Sequence, residues 1–128
     1  MILLDTGVLI DFFRGKDKKL PPLFASHPLA VCGVVRAEIV AGHRSAKQRA
    51  DEIAGLDRLH QVPTPDVLWD RLGDNLAALR TSGVTVPFQD ALLATVAIEA
   101  GLELWTRDHH FALVQAVLPA LQLFAEPP

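Results

Sequence analysis

Short apolar runs alternate along the chain with longer segments in which apolar residues recur every three or four positions. The short runs have the composition of buried strands, and they predict strands over residues 2–4, 29–33, 61–62, 102–105 and 121–124. The periodic segments predict helices over residues 8–13, 34–42, 45–59, 65–79, 87–100 and 111–117. The adjacent prolines Pro21 and Pro22 predict a break in regular structure before the second strand.

This alternation of strands and helices predicts an α/β fold. The expected architecture has three layers, α/β/α, around a mainly parallel sheet of about four to five strands. In such sheets ligands bind beyond the carboxyl ends of the strands. We find no internal repeat and no long linker, so we expect a single domain over residues 1–128.

Composition and the opening residues indicate the cellular compartment of the protein. A chain of 128 residues with 50% hydrophobic content is large enough to bury one core. Cys32 is the only cysteine, and the opening residues MILLD lack the basic and long apolar regions of a secretory signal. No apolar run reaches the roughly 20 residues that span a bilayer. We therefore expect a cytoplasmic protein without a membrane segment.

The charge distribution is uneven. The net charge is -3, but residues 1–64 hold 9 Lys/Arg against 7 Asp/Glu, whereas residues 65–128 hold 3 against 8. A surface that faces phosphates is therefore expected in the first half, where the tightest cluster is Arg14, Lys16, Lys18 and Lys19. A solvated loop is the alternative interpretation of this cluster.

Four carboxylates occupy positions that a solvated surface does not explain. Asp5 and Asp108 lie just beyond predicted strands. A helical wheel places Glu38 on the apolar side of its helix and Asp90 beside the small residues of another. Helix capping is the simpler alternative for Asp5 and Asp108, and the helix dipole is the alternative for Asp90.

The predicted topology brings these four positions toward one edge of the sheet. Carboxylates that share a site repel one another unless a hard cation with oxygen ligands neutralises them. Mg²⁺ or Mn²⁺ is the expected ion, and the reaction that such a site supports is phosphodiester hydrolysis.

Four segments, LLDTGVLIDFFRG, VVRAEIVAG, QDALLATVAIEAG and LWTRDHHF, resemble in order and spacing the successive motifs of PIN domains, specifically of VapC-type toxins. The resemblance covers almost the whole chain and implies one PIN domain. It matches Asp5, Glu38, Asp90 and Asp108 to the family's acidic, metal-binding quartet and Thr106 to its accompanying hydroxyl residue.

The same resemblance implies an Mg²⁺- or Mn²⁺-dependent endoribonuclease, homodimeric and silenced by a VapB-type antitoxin. Two positions depart from the family pattern. Gly7 stands where Asn or Ser is common, and His110 stands where many members have a second acidic residue.

Three other functional interpretations remain open on the sequence alone. Asp5-Thr6-Gly7 is also the triplet of a homodimeric aspartic protease, which would be built mostly of strands. A PIN-like module could bind RNA or a protein partner without cutting RNA. Asp108, His109 and His110 could ligate zinc, although adjacent histidines on a turn rarely face one ion.

Overall fold

The computed structural model of the chain describes residues 1–42 and 45–128. Its strands form one parallel sheet in the order β3-β2-β1-β4-β5. The strands are β1 (Ile2–Leu4), β2 (Leu29–Cys32), β3 (His60–Val62), β4 (Glu103–Trp105) and β5 (Gln122–Leu123). The predicted strands all form, and the predicted α/β fold with a parallel sheet is confirmed.

Helices connect the strands. They are α1 (Thr6–Arg14), α2 (Leu20–Ser26), α3 (Gly33–Ala41), α4 (Ala46–Asp57), α5 (Val67–Thr81), α6 (Phe88–Ala100) and α7 (His110–Val117). This helical content rules out the mostly β architecture that an aspartic protease requires. Among the described residues, no helix combines the length and the apolar character needed to cross a membrane.

The strands at the centre of the sheet are buried along their whole length. Leu3 and Leu4 of β1 and Ala30 and Val31 of β2 are fully buried. This explains why they are continuous apolar runs rather than alternating ones, since a parallel sheet is covered on both faces. Residues 91–97 of α6 are buried too, so this helix lies deep in the core.

The strand order reverses at β1. From β1 the chain moves outward through β2 to β3, then returns past β1 to form β4 and β5. With right-handed crossovers, α1 to α4 cover one face of the sheet and α5 to α7 cover the other. The carboxyl ends of β1 and β4 therefore border the topological switch point, where parallel α/β sheets bind their ligands.

The predicted break at Pro21 and Pro22 is wrong, because both prolines lie in the first turn of α2. The amide groups of a helix's first turn have no acceptor within the helix, so proline loses no hydrogen bond there and its fixed φ suits the helix. The helix buries Leu20 completely.

Most other helix ends agree with the prediction to within two residues. Ser45 caps α4 by accepting a hydrogen bond from the amide of Gln48. Helix α5 begins at Val67 rather than Pro65. At the end of α6, Gly101 has φ of 67°, a left-handed conformation that turns the chain into β4.

Two glycines are expected to respond to the same substitution with opposite signs. Gly101→Ala places a Cβ in the left-handed region and should lower the free energy of unfolding by about 1 kcal/mol. Gly73 lies inside α5, and a Cβ there would have nothing within 4 Å. Gly73→Ala should therefore raise the free energy of unfolding by up to about 1 kcal/mol. Urea denaturation measures both, and a stabilising Gly101→Ala would contradict the assignment.

Candidate active site

Asp5 is fixed at the carboxyl end of β1 by hydrogen bonds to both of its oxygens. Its Oδ1 accepts from the amide of Thr6 at 2.7 Å and caps α1, while its Oδ2 accepts from Thr106 Oγ1 at 2.6 Å. The carboxylate is half-buried, and burial raises its pKa despite these two hydrogen bonds. Asp5 is thus a helix cap, as the simpler interpretation held, and also a member of a wider cluster.

The segment that follows β4 brings Thr106 and Asp108 to Asp5. The amide of Asp5 donates to the carbonyl of Trp105 at 2.9 Å, which joins the ends of β1 and β4. Thr106 Oγ1 in turn accepts from the amide of Asp108 at 3.0 Å. One hydroxyl group therefore links two of the predicted site residues.

Asp108 is also tied to its own turn. Its Oδ1 accepts from the amide of His110 at 2.9 Å and lies 2.9 Å from His110 Nδ1. The amide hydrogen bond, more than the imidazole, lowers the pKa of Asp108. This carboxyl group is therefore ionised at neutral pH.

Glu38 approaches the cluster from α3 through Thr6. The hydroxyl group of Thr6 donates to Glu38 Oε1 at 3.1 Å. The predicted apolar surroundings of Glu38 are wrong, because its side chain is exposed while Val35 and Ile39 fill the buried face of the helix. Glu38 lies at the rim, where the carboxyl edge of the sheet opens to solvent.

Asp90 is affected by the negative charges of the other three carboxylates. It lies in the first turn of α6, whose N-cap is Pro87, and none of the described residues donates a hydrogen bond to its side chain. Burial is the larger cause and the negative charges of Asp5, Asp108 and Glu38 add to it, and together they raise the pKa of Asp90 to about 6. The structure thus gathers Asp5, Glu38, Asp90 and Asp108 close enough to repel one another.

The donor set of this cluster suits a hard cation. All its ligand atoms are oxygens, which Mg²⁺ and Mn²⁺ prefer. In the described parts of the chain, however, no three Asp, Glu, His or Cys side chains are already grouped as ligands of one ion. Thr6, Thr106 and His110 each donate a hydrogen bond to one of the carboxylates, and each of these carboxylates keeps further lone pairs that can bind an ion.

The zinc site considered for Asp108, His109 and His110 does not form among the described residues. Both histidines are exposed, and the ring of His110 faces the carboxylate of Asp108. His109 serves instead as the N-cap position of α7.

The four basic residues singled out from the sequence are all exposed, and two of them line a groove. Arg14 and Lys16 line an open groove of about 1070 Å³ together with Lys47 and Glu38, and Glu38 is where this groove meets the carboxylate cluster. Lys18 and Lys19 lie outside the groove lining.

Sequence reasoning missed two participants. Thr6 bridges Asp5 and Glu38, and its place directly after Asp5, at the start of α1, was the available signal. Arg107 lies between the site residues Thr106 and Asp108, yet it forms ion pairs with Asp11 and Glu126, which are distant in sequence. Nothing in the local pattern around Arg107 indicates those partners.

The fold and this cluster together define an α/β protein with an acidic site at the switch point of a parallel sheet. The PIN domain family model matches residues 2–117, and the chain belongs to that family. It is 32% identical over 124 residues to Ribonuclease VapC10 of Mycobacterium tuberculosis, covering 93% of this chain and 92% of that protein. Ribonuclease VapC32 of the same organism is 35% identical over 109 residues, with 84% and 85% covered.

Solved structures share the fold. A crystal structure of DNA-bound VapBC from Salmonella typhimurium superposes with a TM-score of 0.82 at 18% identity, covering 96% of both chains. VapBC2 from Rickettsia felis, bound to a fragment of its promoter DNA, gives 0.80 at 22% identity, covering 97% of this chain and 98% of that one.

The raised pKa of Asp90 predicts a pH-dependent loss of stability in metal-free protein. Between the pKa of an unfolded Asp, 3.8, and the folded value of about 6, the folded state binds more protons, so stability falls as pH rises through that window. Asp90→Asn removes this cost and should raise the free energy of unfolding at about pH 7 by on the order of 1 kcal/mol, after discounting for solvent screening.

Urea denaturation in EDTA, at about pH 4 and about pH 7, measures the effect. Asp74→Asn, on the exposed side of α5, is the matched control and should show no such pH-dependent gain. An Asp90→Asn protein no more stable than wild type at the higher pH would contradict the proposed repulsion.

Proposed function

We propose that this protein is a metal-dependent endoribonuclease, and that it is the toxin of a VapBC-type pair. The observation that carries the proposal is the negative charge of the four carboxylates at the switch point, which lacks a Lys or Arg counter-charge among the described residues. Among the described residues, no Lys or Arg forms an ion pair with Asp5, Glu38, Asp90 or Asp108. The ribonuclease names of the two mycobacterial relatives support RNA as the substrate.

The acidic cluster has the chemistry to hold Mg²⁺ or Mn²⁺. Asp5 and Asp90 are the proposed principal ligands because they are the most buried of the four and their carboxyl pKa values are raised. A bound divalent cation would supply charge neutralisation at the phosphodiester and would make a water molecule more acidic. The metal requirement is a proposal that rests on the oxygen donors and on their mutual repulsion.

The chain's own residues have separate roles in the proposed reaction. Glu38, exposed at the rim, orients the attacking water toward phosphorus. Thr106 keeps Asp5 in place through its 2.6 Å hydrogen bond, and Asp108 supports the site from the same turn. A bond forms between the water oxygen and phosphorus while the bond from phosphorus to the 3′ oxygen breaks, which leaves a 5′-phosphate and a 3′-hydroxyl.

The proposed partners are a VapB-type antitoxin and a second copy of the chain. Support comes from the solved VapBC structures of the same fold. Trp69 is 47% exposed and Val67 is 58% exposed on α5, so they supply apolar surface for such contacts. Leu68 and Leu72 of the same helix are instead buried in the core. The cytoplasm remains the predicted compartment.

Purified protein is expected to cleave total RNA in Mg²⁺ or Mn²⁺ and to be inactive in EDTA. Asp5→Asn and Asp90→Asn should each reduce the rate at least about 100-fold, because a lost ligand removes several kcal/mol of charge stabilisation. Gel analysis with end-group mapping measures both the rate and the 5′-phosphate.

Equal cleavage by wild type and by both variants, or cleavage undiminished in EDTA, would refute the proposal. RNA binding that persists in EDTA without any cleavage in either metal would instead assign the protein as a non-catalytic RNA-binding PIN module. Asp70→Asn, at an exposed position on α5, is the matched control and should retain full activity.

RNA is proposed to cross the groove that leads to Glu38. Lys16 lines that groove and Lys18 does not. Lys16→Gln should therefore weaken RNA binding and reduce the slope of log affinity against log salt by about 1, as expected for one lost phosphate contact. Lys18→Gln should change both much less. Binding measured in EDTA across a salt series tests this, and equal effects of the two substitutions would exclude the groove as the path.

A further inference from the structure

Arg107 is the centre of an ion-pair network beside the segment that carries Thr106 and Asp108. Its Nε and Nη2 donate to the two oxygens of Glu126, both at 2.8 Å, in a bidentate pair. Its Nη1 donates to Asp11 Oδ2 at 2.9 Å, and Nη2 lies 2.7 Å from Asp17 Oδ2. One guanidinium group therefore joins α1, the loop before α2 and the carboxyl-terminal tail.

These contacts commit the Arg107 charge to carboxylates outside the proposed metal-binding cluster. Within the described residues, its ion pairs are to Asp11, Asp17 and Glu126, and to none of the four carboxylates of the cluster. A bidentate pair with two further carboxylates occupies the fork of donors that would otherwise bind a phosphate. Arg107 thus lies between two site residues with its donors already paired, although it also lines the groove that leads to Glu38.

The tail that carries Glu126 is itself anchored in the core. Trp105 is fully buried, and its Nε1 donates to Glu126 Oε2 at 3.1 Å. The amide of Phe124 donates to the carbonyl of Leu104 at 2.8 Å, and the ring of Phe124 packs 4.7 Å from that of Trp105. Glu126 is therefore a fixed anchor point for Arg107.

The anchored Arg107 constrains its two neighbours in the chain. Thr106 Oγ1 donates to Asp5 at 2.6 Å and accepts from the amide of Asp108 at 3.0 Å. Both hydrogen bonds depend on the backbone position of residues 106–108. Without the guanidinium group, Asp11, Asp17 and Glu126 would be left close together and would repel one another, because their shared cation is lost.

We propose that Arg107 is a positioning residue: its bond to Glu126 holds Thr106 and Asp108 so that Asp5 and Asp108 present their carboxylates to a divalent cation. The carboxyl-terminal tail, through Glu126, thereby sets how tightly the site holds that ion. The inference deepens the proposed function and rests on its metal site.

The test compares Mn²⁺ affinity, measured by electron paramagnetic resonance of the free ion, in the full-length wild type and in variants. Arg107→Gln should weaken Mn²⁺ binding about 10-fold or more, the effect typical of residues that hold metal ligands in place. Arg107→Lys should recover part of this loss, because it restores the charge without the bidentate geometry.

Glu126→Gln should weaken Mn²⁺ binding in the same direction but less. The double variant Arg107→Gln/Glu126→Gln should be no worse than Arg107→Gln alone, as expected when both residues act through one interaction. RNA affinity in EDTA and its salt dependence are measured beside Mn²⁺ affinity, because Arg107, Asp11 and Asp17 also line the groove that leads to Glu38. In Mg²⁺, the loss of cleavage should appear in kcat rather than in KM.

Arg71→Gln is the matched control, because Arg71 pairs with Glu99 at the opposite end of α6 from Asp90. Wild-type Mn²⁺ affinity in folded Arg107→Gln would overturn the inference, as would an equal loss in Arg71→Gln. A reduced salt slope of RNA binding in Arg107→Gln would reassign this residue to phosphate binding. If Arg107→Gln does not fold, Glu126→Gln carries the same comparison.

A wild type that binds Mn²⁺ but cleaves no RNA would refute the proposed function. The Mn²⁺ comparison between wild type and variants would still decide the role of Arg107.

Discussion

The mutual repulsion of four carboxylates is the constraint around which the carboxyl edge of the sheet is arranged. Thr6, Thr106 and the amide of His110 each donate a hydrogen bond to a member of the cluster. Such donors stabilise ionised carboxylates but do not cancel their charge. Asp90 lacks a donor among the described residues, and its pKa rises to about 6. Electrostatic repulsion therefore destabilises the folded protein at the place where a bound cation would neutralise the charge.

Two groups of acidic residues near the segment after β4 differ in their counter-charges. Asp11, Asp17 and Glu126 share the internal cation Arg107. The four-carboxylate cluster has no Lys or Arg partner in the described part of the chain. Acidic residues with an internal counter-charge serve structure, whereas those without one are suited to an external cation. The presence or absence of an internal counter-charge distinguishes the structural carboxylates from the proposed metal-binding ones better than the number of acidic residues does.

The core makes this arrangement possible. Leu3, Leu4 and Leu104 are fully buried in neighbouring strands, and β1 pairs with β4 through the register of Leu3 with Leu104. That register brings the amide of Asp5 to the carbonyl of Trp105. Burial of apolar strands thus fixes the relative position of the two turns that carry Asp5 and Thr106, and the stability lost at the cluster is offset by the hydrophobic core beneath it.

The sequence by itself determined the strands, most helices and their caps, because apolar runs, helical periodicity and residues such as Ser45 act locally. It also singled out Asp5 and Asp108 by their places beyond strands, and Glu38 and Asp90 by their positions on helical wheels. Only the tertiary structure decided that α2 begins through two prolines, that Glu38 is exposed, and that Arg107 pairs with Asp11, 96 positions away. Contacts between distant segments depend on the order of the strands and on which side chains meet in the folded chain. The local periodicity of the sequence indicates neither.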